Sequence, residues 1–203
     1  MMKMIGFLSA ALHWNLGIGA GLFLGGCAVS SPGRAGKTQG APAAPGKLPA
    51  LRTVPRVDLP RYMGDWYVIA NVPYFAEAGA VGSVETYALR PDGRIDNWFT
   101  YRKGSFDAPV KQVRALAWVH NPETQAEWRV RFLGLITASY WVLDLEPNYR
   151  WAVVGHPSRN YGWVLARSKT LPDRQYQQIL RRLAEQGYDP ARFVKVPQNP
   201  PAP

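Results

Sequence analysis

Apolar residues follow three regimes along this chain. Residues 4–24 form a nearly continuous run of Leu, Ile, Phe, Ala and Gly behind a lone Lys3. Residues 28–56 show no apolar periodicity and carry prolines at 32, 42, 45, 49 and 55. From residue 57 to about 196, short segments recur in which apolar or aromatic residues alternate with polar ones. These segments are 66–70, 83–89, 95–101, 110–119, 127–133, 139–145, 150–154 and 162–167. Turn-forming stretches separate them, among them Arg90-Pro91-Asp92-Gly93, Asn121-Pro122-Glu123-Thr124 and Glu146-Pro147-Asn148. Connections this short favour antiparallel neighbours, so the pattern predicts an all-β sandwich or barrel in one domain of about 140 residues. The period changes once, after the last strand. Tyr176, Ile179, Leu180 and Leu183 share one helical face, with Thr170 as the expected N-cap, Asp173 three residues on, and Gly187 as the stop. That helix is expected to lay its apolar face on the outside of the sheet.

The apolar run at the start reads as an export signal, which places the mature chain outside the cytoplasm. It closes on Leu24-Gly25-Gly26-Cys27, which resembles the lipobox of bacterial lipoproteins. The resemblance implies residues 1–26 as a signal peptide cut before Cys27, whose thiol carries diacylglycerol and whose new amine is acylated. Buried methylenes contribute about 0.8 kcal/mol each, so one acyl chain anchors reversibly and several anchor firmly. The alternative is an uncleaved membrane span, for which about 20 apolar residues suffice. His13, Asn15 and glycines 17, 19, 21, 25 and 26 weigh against a stable spanning helix. Ala28 stands where an inner-membrane retention aspartate would be, which by the same resemblance favours the outer membrane, facing the periplasm. Residues 27–56 then form a lipidated Cys27 and a Pro/Gly/Ala-rich tether reaching roughly 30 Å. Residues 197–203 read as a disordered tail.

The formal net charge is +10, yet the cations are scattered through the domain, adjacent only at Arg102-Lys103 and Arg181-Arg182, and export removes cytoplasmic nucleic acid as a partner. Anionic lipid and a merely solvated basic surface both remain open. The single cysteine is outside the domain, so no disulfide supports the core. His13, His120 and His156 form no ligand cluster, and no metal motif, phosphate loop or nucleophile elbow occurs. His156, Ser158 and Asp144 lack the strand-to-helix nucleophile turn of a hydrolase. No catalytic residue, cofactor or metal is expected, and the chain is not expected to be an enzyme.

Ordered motifs point to a family. Tyr62-Met63-Gly64-Asp65-Trp66-Tyr67 carries a Gly-x-Trp block at the first strand, followed by Val84-Glu85-Thr86-Tyr87-Ala88-Leu89. Val130-Arg131-Phe132 and Tyr140-Trp141-Val142-Leu143 come next, and Tyr161-Gly162-Trp163-Val164-Leu165-Ala166-Arg167 closes the set. Taken in this order the chain resembles the lipocalins, nearest to the bacterial outer-membrane lipoproteins and the apolipoprotein D group, over residues 57–196. The resemblance implies an eight-stranded antiparallel up-and-down β-barrel with one C-terminal α-helix packed outside. Glu146-Pro147-Asn148-Tyr149-Arg150 departs from the family's Thr-Asp-Tyr, which leaves the role of that corner open.

In the family the positions matching Gly64, Trp66 and Arg167 close the narrow end of the barrel, with the guanidinium lying across the indole. Strand alternation then sends Val68, Ala70, Leu165 and Trp163 inward. Positions matched to the family add Tyr87, Asn97, Phe99, Val130 and Phe132, and less directly Trp128 and Tyr140. The lining is expected to be apolar with aromatic walls and few polar points. It suits an acyl chain, so a fatty acid or lysophospholipid is the expected ligand, with Tyr87, Phe132 and Trp163 in contact. Arg102, Lys103 and Lys111 could meet an anionic head at the mouth or simply face solvent. The implied role is lipid storage or transport in the cell envelope. A second class stays open, a structural lipoprotein whose aromatics fill the barrel and whose surface docks an envelope partner; a homodimer is compatible with either.

Overall fold

The computed structural model describes residues 48–200, so the expected signal, Cys27 and most of the tether lie outside the described residues. The eight expected segments are all strands: β1 (Gly64–Asn71), β2 (Ala80–Leu89), β3 (Ile95–Lys103), β4 (Lys111–Val119), β5 (Glu127–Phe132), β6 (Ile136–Leu145), β7 (Trp151–Gly155) and β8 (Gly162–Ala166). Each pairs antiparallel with the next, and β1 pairs with both β8 and β2, so the sheet closes on itself. Closure leaves no free edge in the ring. A two-residue strand, β9 (Val194–Lys195), adds to the far half of β1 through Ala70↔Lys195 and Asn71↔Val194. The alternation sorts the side chains into two apolar clusters. One, around Trp66, Val68, Tyr87, Ile95, Phe99, Trp128, Val130 and Leu165, lies inside the barrel. The other, around Val153, Val164 and Ala166, lies outside under a helix.

In an up-and-down ring the hairpin loops alternate between ends. The β1–β2, β3–β4, β5–β6 and β7–β8 loops therefore share one end, and the β2–β3, β4–β5 and β6–β7 loops share the other. A short helix, α1 (Leu59–Tyr62), leads into β1 at the second end, with Asp58 accepting from the Arg61 N–H as its cap. Leu59 and Tyr62 are buried, so this helix stops the barrel at that end. The chain reaches it along the barrel wall, where Val54 N–H donates to Val142 O (2.9 Å) and Val57 N–H to Thr124 O (2.8 Å).

The long helix α2 (Asp173–Glu185) buries Tyr176, Ile179 and Leu183 against the outer cluster, as the periodicity predicts. Its start differs from expectation. Thr170 does not cap it; the cap position is Pro172, with no side-chain hydrogen bond. Proline holds the preceding Leu171 out of helical conformation, so the helix cannot begin before residue 172. Asp173 instead pairs with Lys195 (2.7 Å). The end behaves as expected: Gly187 takes φ +84°, its N–H donates to Ala184 O, and Tyr188 N–H donates to Leu183 O. This is a Schellman closure, with Tyr188 packing in the same cluster as Leu183.

Alternation fails once in β1. The pairing with β8 slips between Val68 and Ala70, and both Ile69 and Ala70 join the outer cluster. Ala70, expected inside, therefore points outward, because one inserted residue exchanges the two faces. Asn71 turns inward in its place and donates to Glu77.

Candidate ligand-binding site

The floor of the barrel is aromatic and closed. The Arg167 guanidinium lies 3.8 Å from the centre of the Trp66 ring. The same guanidinium donates to the carbonyls of Asp65 (2.7 Å), Arg61 (2.9 Å), Met63 (2.8 Å) and Tyr62 (3.1 Å). Gly64, beside Arg167 Nη1, adopts φ +90°, a backbone conformation that a residue with a Cβ takes only under strain. Trp66 Nε1–H donates to Tyr62 O (2.8 Å), and Tyr62 stacks at an angle on Trp66 and edge-on to Trp128, with centroids 4.9 and 5.2 Å apart. A chain of phenols crosses this floor: the Tyr62 and Tyr140 hydroxyls are 2.8 Å apart, and Tyr140 donates to Tyr87 (3.0 Å). Burial raises all three phenols above their ordinary range, so they act only as neutral hydrogen-bond groups.

The divergent corner at residues 146–150 has a job here. Glu146 accepts from the N–H groups of Asn148 and Arg150 and pairs with the Arg150 guanidinium (3.0 Å). Tyr149, at φ +60°, accepts from Asp58 N–H (2.8 Å) and carries Arg61 over its ring at 4.2 Å. The corner thus docks α1 onto the closed end.

Above the floor stand the residues expected to line the cavity. Tyr87, Phe99, Val130, Phe132, Tyr140, Trp163 and Leu165 belong to the inner cluster, and Asn97 faces inward on β3. Trp128 is also inside and fully buried. Tyr87, Asn97, Phe99, Val130 and Leu165 are buried, whereas Phe132, Tyr140 and Trp163, with Tyr101, Val113 and Ala115, keep partial exposure. Inward side chains that still meet solvent leave this wall with accessible apolar surface, above a sealed floor.

Two carboxyls inside the barrel change the expectation of few polar points. Glu85 faces Trp66 across β1 and Phe99 across β3, and accepts from Asn97 Nδ2 (2.5 Å). Burial pushes its carboxyl up to about 8, the Asn97 hydrogen bond opposing and Glu77 reinforcing that shift. Glu77 lies in the β1–β2 loop, turns into the barrel, and accepts from Asn71 Nδ2 (2.5 Å) and Trp163 Nε1 (3.0 Å). Burial raises its carboxyl too, against hydrogen bonds from Trp163, Asn71 and Tyr74. Glu85 was legible in the alternation, two residues before the inward Tyr87; Glu77, in a loop, carries no periodic signal. Trp163 is therefore both wall and hydrogen-bond donor.

The cations proposed for the mouth stand at the open end but have local work. The Arg102 guanidinium donates to Ala108 O and the Lys103 ammonium to Ala78 O, bracing two loops, while Lys111 is exposed at the start of β4. His156 and Ser158 contact each other (2.8 Å) in the β7–β8 turn, whereas Asp144 pairs with Arg182 (2.6 Å), so the three do not converge. Among the described residues, no group of three His, Cys, Asp or Glu could hold a metal ion.

The family model for a lipocalin-like domain matches residues 57–198. The chain belongs to the lipocalin-like family. Similar relatives of this lipocalin include temperature-induced lipocalin-1 of Arabidopsis thaliana, 32% identical over 162 residues, covering 73% of this chain and 83% of that protein. The outer membrane lipoprotein Blc of Escherichia coli (strain K12) is 32% identical over 151 residues, with coverage of 73% and 83%. Mouse apolipoprotein D is 26% identical over 162 residues, covering 75% of this lipocalin and 83% of that protein. Among solved structures, insecticyanin from the tobacco hornworm Manduca sexta superposes with a TM-score of 0.59 at 18% identity, covering 75% and 87% of the two chains. That likeness shows the shared barrel.

Proposed function

We propose that this lipocalin holds one single-chain amphiphile, a lysophospholipid or fatty acid, for storage or transport of lipid in the cell envelope. The observation that carries the reading is the partly exposed inner wall of Tyr101, Phe132 and Trp163 above the sealed Trp66 floor. Eight methylenes laid along such a wall contribute about 6 kcal/mol of transfer free energy, before the cost of immobilising the chain. Glu77 and Glu85 refine the choice. The burial that raises these two carboxyls equally disfavours a buried carboxylate head, so a fatty acid enters tail first with its head at the mouth. A lysophospholipid with an ammonium in its head finds in Glu77 a partner near that mouth.

Cys27 is the proposed lipid anchor, and the outer membrane, on its periplasmic side, the proposed location. The lipobox-like Leu24-Gly25-Gly26-Cys27 and the similarity to Blc, by name an outer membrane lipoprotein, support both. The test is a titration of the delipidated fragment beginning at Leu48 with lysophosphatidylethanolamine and with palmitate, following tryptophan emission, beside a Trp163→Phe variant. Saturable quenching at micromolar ligand, blunted in the variant, is expected. A folded protein that responds to neither lipid refutes the binding role and leaves the filled barrel that docks an envelope partner.

A further inference from the structure

The end of the barrel opposite the Trp66 floor is unusually apolar at its tips. Phe75 in the β1–β2 loop is 66% exposed, and Leu135 in the β5–β6 loop is 82% exposed, flanked by exposed Leu133 and Ile136. Exposed Val110 follows in the β3–β4 loop and Tyr161 in the β7–β8 loop. All four open-end loops thus present a large apolar side chain outward. Among the described residues, the closed end offers only Leu89 as an exposed large hydrophobe, at 41%. Scattered apolar residues on a surface mean little, but a ring of them on one face marks an interaction surface.

The same face is basic. Arg102, Lys103, Lys111 and Arg159 surround the mouth, Asp107 is the exposed carboxylate of these loops, and Glu77 is turned inside. The face is also held together. Gly104 N–H donates to Gly79 O (2.7 Å), Lys103 reaches Ala78 O, and the Tyr74 and Tyr161 rings meet edge-on at 5.6 Å. The β5–β6 tip is tightly turned, with Leu133 at φ +50° and Gly134 at φ +72°. That turn pushes Leu135 beyond the ends of its strands.

We propose that this rim docks on the headgroup layer of an anionic bilayer, with the apolar tips seated among the lipids and the cations against phosphates. Two features select lipid over a second copy of the chain. A mouth-to-mouth pair sets the basic rims against each other, which like charge opposes, whereas an anionic surface complements them. The chain also arrives at this end. The Arg159 guanidinium, in an open-end loop, donates to Pro49 O, and Leu48 and Pro49 lie against Gly187. This second feature rests on the proposed anchor at Cys27, which the twenty residues 28–47 separate from Leu48, on the side of the chain that reaches this rim. Docked this way, the barrel mouth opens onto lipid, and an amphiphile passes between bilayer and cavity without crossing water.

The test uses the full-length protein in phosphatidylglycerol-containing vesicles, with an environment-sensitive fluorophore on Leu135→Cys or on Leu89→Cys and brominated lipids as quenchers. Intact mass reads Cys27 separately. An unmodified Cys27 overturns the anchor alone, and the same labels are then read in a Cys27→Ser chain mixed with the vesicles. Several-fold quenching at position 135 with none at position 89, reduced by 0.5 M salt (about a 4 Å screening length) and by Lys111→Glu, supports the proposal. Equal quenching at both positions, or none at 135, overturns it. So does a spectral shift at 135 that appears without vesicles and grows with protein concentration, which identifies a second copy as the occupant. Val110→Ser with Ile136→Ser should halve the quenching or more at an unchanged melting temperature, since both side chains are exposed.

Discussion

Glu85→Gln tests the interior electrostatics with a near-isosteric change. In the folded protein the Glu85 carboxyl is raised from 4.5 to about 8 by burial. Between those values the folded state keeps a proton that the unfolded chain has lost, so stability falls as pH rises, by up to about 1.4 kcal/mol per pH unit. The ceiling over the whole window is about 4–5 kcal/mol; the partial exposure of Glu85 reduces it to on the order of 2 kcal/mol. Glutamine keeps an acceptor for Asn97 Nδ2 and cannot titrate. Urea unfolding of both proteins at pH 5, 6, 7 and 8 should show near-equal stability at pH 5. A gap favouring the variant should then open to about 2 kcal/mol at pH 8, or about 4–8 °C in melting temperature for a domain of this size. His156 titrates alike in both proteins, so the difference between the two curves reports Glu85 together with its coupling to Glu77. A pH-independent offset between the curves, or a variant as pH-sensitive as the parent, refutes the assignment of a protonated carboxyl inside the barrel.

Trp66→Ala should cost about 3–5 kcal/mol as a buried aromatic deletion, and Arg167→Ala should also destabilise because it leaves four carbonyls of the closed end without their shared donor; melting curves check both, and unchanged values in both refute the closure. Gly155→Ala places a Cβ 2.3 Å from Tyr188 Oη and 2.4 Å from Leu143 Cδ1, so a loss of about 1–3 kcal/mol on urea unfolding is expected, and a neutral result shows that Tyr188 can move away. Gln198→Ala removes the donor that serves Val68 O (2.7 Å) and Ser83 O (3.1 Å); about 1–3 kcal/mol should be lost, with faster amide exchange in β2 near Ser83, and unchanged exchange there refutes the seam contact.

Much of the architecture was readable because a barrel strand buries one face and exposes the other. Residues 95–101 and 162–167 alternate cleanly, and their strands begin at the expected Ile95 and Gly162. Trp163 and Leu165 follow from that period once Trp66 fixes the phase, whereas Tyr87, Phe99 and Phe132 came from positions matched to the family; all five lie in the inner cluster. Two kinds of feature escaped. Ala70 was misplaced because a bulge is a tertiary accommodation between β1 and β8, and no residue in Val68-Ile69-Ala70 announces it. Glu77 was missed because its inward turn is set by partners distant in sequence, above all Trp163, 86 positions on. Glu85 differs from both, since its phase was given and only its polarity argued against burial. The misplaced cap at Thr170 came from reading a capping pattern without weighing Pro172 two residues later.

The irregularities and the candidate site are connected. The direct β1–β2 ladder ends at Tyr67↔Val84, and β2 itself slips against β3 between Val81 and Val84. Above that point the two strands part, and the end of the chain fills the seam: Val196 N–H donates to Ile69 O, Gly82 N–H to Pro197 O, and Gln198 reaches both walls. The packed chain therefore runs through Gln198. The bulge that turns Ala70 outward brings Asn71 in, and Asn71 meets Glu77 where the β1–β2 connection folds over the barrel. A perfectly regular β1 would have put Ala70 and Val72 inside and kept the upper barrel apolar. The polar chemistry near the mouth thus arises from one inserted residue, and the tail that covers the resulting gap makes that irregularity tolerable. Any change that restores regular pairing between β1 and β8 should remove Asn71 from Glu77, leaving Trp163 and Tyr74 to satisfy the carboxyl, and so loosen the aromatic wall that a ligand would meet first.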